Sequence, residues 1–206
     1  MYPLKLRIQT NAWQLFAMRR SNKAFAEFSK KVFQRDDYTC QFCGFQAKEY
    51  QEIINKDHNY RNNKLSNMVT ACCLCTQCFF LNAVGVSYGG GALIHLDEMS
   101  QSDLNSLCHV LFCAISNDTG YKDISQNTYR TLKLRSQAIE EEFGEGTSDP
   151  AIFSQLYLET SHNSKQQADE LLTKMRLLPS RARFRTQIEH WANVALEEMS
   201  EEEMHG

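Results

Sequence analysis

Cys40-Gln41-Phe42-Cys43-Gly44 and, about thirty residues further on, Cys72-Cys73-Leu74-Cys75-Thr76-Gln77-Cys78 are the stretches on which the fold of this chain turns. A Cys-x-x-Cys knuckle offers two thiolates to one side of an ion, and two knuckles complete the tetrahedral set of a structural zinc site. Six of the eight cysteines lie between Cys40 and Cys78. The first thirty residues carry no signal-peptide core, and no run of apolar residues reaches membrane-spanning length, so a cytoplasmic protein with reduced thiols is expected. Clustered thiols then read as metal ligands rather than disulfides. The first pair is Cys40 with Cys43. For the second, Cys72 with Cys75 and Cys75 with Cys78 have identical spacing, and spacing does not choose between them. Gly44 suits a turn whose backbone amides curl toward the sulfurs.

Outward from the knuckles, the chain changes character. Pro3 to Gln9 alternates Leu4, Leu6 and Ile8 with Lys5, Arg7 and Gln9, which predicts a short half-buried strand. Ser21-Asn22 offers an N-cap to a helix with Phe25, Phe28, Val32 and Phe33 on one face, ending near Arg35 and delivering the chain to Cys40. Val84 to Leu96, with Gly89-Gly90-Gly91 between apolar runs, reads as a hairpin with a flexible tip. The glycines lack the spacing and the following Lys-Ser/Thr of a phosphate loop.

From Ser102 the period becomes helical: Leu104, Leu107, Cys108, Leu111, Phe112 and Ile115 form one stripe, in which Cys108, like Cys113 nearby, is expected to be a small core residue. Further stripes run through Leu132, Ile139 and Phe143; through Ile152, Phe153, Leu156 and Tyr157; through Leu171, Leu172, Met175 and Leu178; and through Phe184, Ile188, Trp191, Ala195 and Met199. Gly144 to Pro150 and Leu178-Pro179-Ser180 break the pattern, and Glu201 to Gly206 is expected to fray. The expectation is an α+β protein: a zinc module with a short hairpin over residues 1–96, and a helical region over 97–206 packed on it.

The net charge of -3 conceals an asymmetry. Up to Lys64 there are 12 Lys and Arg against 6 Asp and Glu, a surplus of +6, and the remainder carries 10 against 19, or -9. Such a surplus can attract nucleic acid. Lys23, Lys30 and Lys31, however, are scattered as on a solvated helix face, so nucleic acid is not the expected partner.

Phe33 to Gly44 resembles the opening of the HNH nuclease family, and Asn62 to Cys75 resembles its second half. The family's zinc-bearing members use four cysteines to clamp a hairpin against a helix in a treble clef. The resemblance makes Cys40, Cys43, Cys72 and Cys75 the ligands of one structural Zn2+, leaves Cys73 and Cys78 outside the set, and matches Asn67 to the asparagine that pins the loop. It also implies lost chemistry. An HNH site needs a histidine base and ligands for a hard divalent ion. The matching positions are Ile54 and Asn55, and Thr76 stands where a histidine follows the last knuckle cysteine. Only eight residues separate His58, which follows Asp57, from Asn67. It is expected to be a surface histidine in a polar turn, and a nuclease using it is the alternative reading.

Taken whole, a degenerate HNH-like zinc module followed by a strand-glycine-strand element and an acidic helical tail looks like a component of the Dot/Icm type IVB secretion machinery. That resemblance implies a non-enzymatic adaptor with no membrane insertion of its own. It would be held at the inner membrane through the C-terminal region of the coupling ATPase DotL, among other adaptors of the coupling complex.

Overall fold

The computed structural model describes every residue except 162, 163 and 206, and only the backbone of residues 200–205. The chain is α+β. Two helices open it, α1 (Ala12–Arg20) and α2 (Lys23–Arg35). Strands β1 (Gln51–Asn55) and β2 (Met68–Cys72) pair antiparallel, Gln51 opposite Cys72 and Asn55 opposite Met68, and a single helical turn, α3 (Cys73–Thr76), follows at once. Strand β3 (Gly91–His95) then leads to helices α4 (Gln101–Ser116), α5 (Lys122–Leu134), α6 (Gln137–Phe143), α7 (Pro150–Glu159) and α8 (Lys165–Lys174). Strand β4 (Met175–Pro179) and the long α9 (Arg185–His205) close the fold.

Local chemistry explains many of these boundaries. The Asn22 side chain accepts from Phe25 N at 3.1 Å, as an N-cap should, and Ser100 does the same for Asp103 N at 3.1 Å. Asp149 accepts from the amides of Ala151 and Ile152, with Pro150 at the first turn of α7, where its missing N–H costs nothing. Helix α2 buries Val32 against Ile53 and Met68, with Phe25, Phe28 and Phe33 around them. Complete burial of such a side chain contributes about 1.5–3 kcal/mol. Its end is fastened by Arg35, which donates to Leu65 O and Met68 O, and by Asp36, which accepts from Thr70 N at 2.8 Å.

Four expectations are corrected. Pro3 to Gln9 is extended and buries Leu4 and Leu6, but among the described residues it joins no sheet; Arg7 ties its backbone to the rest of the fold, donating to Cys78 O and accepting from Leu81 N. Val84 to Leu96 is not a hairpin. β3 pairs instead with β4, Gly91 opposite Pro179 and His95 opposite Met175. Gly91 permits this because a Cβ there would meet Leu178 O at 2.4 Å. The stripe from Leu171 to Leu178 therefore splits into helix and strand at Met175. The segment from 201, expected to fray, is helical to His205, and residue 206 lies outside the described residues.

One main core holds side chains from Leu4 to Ile188, and the β3–β4 pair crosses the division expected at residue 96. Cys108 is buried in it, whereas Cys113 is half-buried and accepts from Asn117 Nδ2 at 3.6 Å. Among the described residues, no helix is long and apolar enough to cross a membrane.

Candidate metal centre

The first knuckle is a tight turn. Gly44 N donates to Cys40 O at 3.0 Å with Gly44 at φ 79°, a conformation glycine adopts without strain, and Cys40 N donates to Phe45 O at 2.8 Å. Gln41 N reaches Thr70 O at 2.9 Å, so the turn is laced to β2. The second knuckle is the junction of β2 with α3: Cys72 ends the strand and Cys75 lies in the helical turn. The thiols of Cys40, Cys43, Cys72 and Cys75 all lie within 4.8 Å of one another and all four residues are buried. Cys43 and Cys72 are 3.7 Å apart, close to the ~3.8 Å edge of a tetrahedron with zinc–sulfur bonds of about 2.3 Å.

Cys78 stands outside this group, its thiol donating to Leu74 O at 3.6 Å. The choice of second pair that spacing left open is thus resolved by position: Cys72 and Cys75 meet the first knuckle. Cys73 is buried elsewhere, in a wall shared with Glu52 and Tyr88.

Burial works against a thiolate at Cys40, but contacts from Cys43, Cys72 and Cys75 outweigh it and hold Cys40 well below the usual thiol range. Burial pushes Cys72 and Cys75 well up. Several thiolates at this separation repel one another in a dry site. A bound dication removes that obstacle.

Helix α4 supplies contacts that the sequence reading missed. Asn105 Nδ2 lies 3.3 Å from the Cys75 sulfur, and His109 Nε2 lies 3.3 Å from that of Cys72. Gln101 bridges Asn105 to β4, donating to Asn105 Oδ1 and Leu177 O and accepting from Leu177 N. His109 is stacked on Phe45 with ring centroids 3.7 Å apart and meets the Trp191 ring edge-on. Burial lowers its pKa to about 3, against the opposing pull of Cys40. The available signal was a polar row, Gln101, Asn105 and His109, at intervals of four along one face of the helix.

The chain is 59% identical over 199 residues to the type 4 apparatus protein DotN of Legionella pneumophila subsp. pneumophila (strain Philadelphia 1), spanning 96% of this chain and 93% of that protein. The chain belongs to the DotN (IcmJ) family. No protein-family model matches it.

In this DotN-family chain the positions that the HNH resemblance would make catalytic are occupied by buried side chains. Ile54 is fully buried. Asn55 is buried too, accepting from Arg19 and donating to Asn59 O and Asn62 O at 2.8 Å each. Arg19, whose second nitrogen donates to Ile53 O at 2.6 Å, packs over the Phe25 ring. Thr76 is buried. Asn67 pins the β1–β2 loop as expected: it accepts from Asp57 N and donates to Asp57 Oδ1 and Asn62 O. His58 departs from the surface position expected of it. It is half-buried at φ 58°, its ring lies 5.4 Å from that of Phe79, and it faces none of the four thiols. Burial, then Arg7, lowers its pKa to about 4, with Asp57 opposing.

Proposed function

We propose that this chain is a non-enzymatic adaptor of a type IV secretion apparatus, built around one structural zinc, and that it binds the C-terminal region of the coupling ATPase DotL. The observation that carries the reading is the identity to the type 4 apparatus protein DotN along nearly the whole chain.

The donor set suits zinc. Four buried sulfurs of the right separation leave no open coordination position, so a zinc ion held by Cys40, Cys43, Cys72 and Cys75 supplies folding free energy rather than an activated water. We read the knuckle, the β1–β2 pair and α3 as an HNH-like treble clef whose catalytic positions, Ile54, Asn55 and Thr76, now serve packing and loop anchoring. In this reading the protein resides on the cytoplasmic side and reaches the inner membrane through DotL, where it joins other adaptors of the coupling complex.

Two measurements test this. Elemental analysis of the purified chain is expected to find one zinc per chain, and a metal-free yet cooperatively folded preparation would refute the structural role. The zinc-loaded, folded chain is expected to co-purify with a C-terminal DotL segment; failure of that well-folded material to bind would remove the adaptor reading while leaving the zinc site intact.

A further inference from the structure

We propose that the pocket between the N-terminal extended segment and the β1–β2 loop binds a phosphate group through Lys5, Arg7, Lys56 and His58. It is a cavity of about 270 Å3 whose aromatic walls are Tyr2, Phe42 and Phe79. Its lining contains three cations and no carboxylate.

The cations of the lining have no ion-pair partner among the described residues. In the N-terminal half, Arg20 pairs with Glu52, Lys30 with Glu27 and Arg35 with Asp36, and Lys23, Lys31, Lys48, Arg61 and Lys64 also form no ion pair among the described residues. Among the described residues, the side chains of Lys5, Arg7 and Lys56 have no ion-pair or hydrogen-bond partner; Lys56 only overlies the Tyr2 ring at 5.7 Å. The neighbouring acid, Asp57, stays outside the lining as a carboxylate whose two oxygens accept from the side chains of Asn67 and Asn62 and from Asn59 N, contacts that lower its pKa and keep it ionised. Three like charges on residues lining one small cavity repel, and an anion bound there relieves that repulsion.

The backbone of the frame is fixed: Arg7 is held through both backbone groups to Cys78 and Leu81, and Lys56 N donates to Asn67 O at 2.7 Å, so the ordering on binding is confined to the side chains. His58 contributes a ring whose Nδ1 is buried without a partner. Held neutral by burial and by Arg7, it adds no fourth charge to the empty pocket but can take up a proton once an anion faces it. The groups around it are Arg7, Lys5 and Lys56 on the pocket side and Asp57 and Tyr60 on its own loop.

A phosphate group reaches such a pocket from a soluble ester or from a phospholipid headgroup, and two arms distinguish them. In the first, the full zinc-loaded chain is titrated with inorganic phosphate at constant ionic strength against chloride, following the His58 ring protons by NMR. In the second, it is floated with phosphatidylcholine vesicles with and without phosphatidylglycerol. A saturable rise in the pH at which His58 titrates, weakened about tenfold in affinity by Lys56→Gln or Lys5→Gln, supports the site with a soluble source. Flotation only with phosphatidylglycerol, abolished by the same exposed substitutions, supports it with a headgroup source. Silence in both arms, or a response that neither substitution changes, overturns the proposal. The pocket contains none of the four clustered cysteines, and the outcome is independent of DotL binding.

Discussion

Asn105 and His109 reach the thiol cluster from a helix that begins 26 residues after Cys75, and outer contacts of this kind orient metal ligands and tune their basicity. Asn105→Ala or His109→Ala is therefore expected to weaken zinc about 10–100-fold in competition with a chromogenic chelator. Unchanged affinity in both variants would show that α4 merely packs nearby. Glu52 makes a second case. Burial raises its carboxyl to about 7, with Arg20 at 3.0 Å and then Arg19 opposing. The folded state thus keeps a proton that the unfolded chain releases near 4.5. Its contribution to stability is full below that pH and is lost as pH rises through about 7. In urea unfolding at stepped pH, the stability of the natural chain minus that of Glu52→Gln should fall between pH 5 and 7.5. A flat difference contradicts this. His58, whose pKa is lowered, acts with the opposite sign, but it is present in both proteins and cancels. Of these residues, the first cysteine knuckle was legible in the sequence because its two thiols are three positions apart, whereas spacing left the second pair open. Glu52 was not, because nothing local says that a strand carboxyl will be buried.

Among the elements, α2 was readable because its cap and stripe, and α4 because its stripe, lie within a few turns of the chain. Helix α1 was not anticipated, and its Phe16 packs tilted against Phe80 at 4.8 Å, a neighbour far away in sequence. The β3–β4 pair shows the difficulty most plainly. Gly91 looked like part of a flexible tip, yet its missing side chain is what admits Leu178 O. Gly91→Val is expected to cost about 3 kcal/mol by forcing the strands apart, whereas Gly120→Ala, with open space around it, should be near neutral. Thermal unfolding of the two variants checks the contrast; equal midpoints would mean that the strand approach contributes little.

For the molecule as a whole, the thiol cluster lies at the meeting of both halves. Trp191 of α9 donates to Glu49 O at 3.2 Å, abuts Phe45 of the first knuckle, and touches His109. Through Gln101, α4 carries the connection on to β4. Removing the metal with a strong chelator is accordingly expected to disturb Trp191 fluorescence and to loosen the helical half together with the knuckles, because metal binding and folding are one equilibrium in such sites. An unchanged Trp191 signal after complete zinc removal would show that the two halves are uncoupled.

Ligand spacing, helix faces and caps followed from the order of residues, since each depends on neighbours a few positions apart. Which cysteine stays out of the cluster, where β3 finds its partner, and how Lys5 and Lys56 come to share a pocket did not. Those outcomes join segments tens of residues apart, and their free energy arises only when the folded chain has brought the segments into contact.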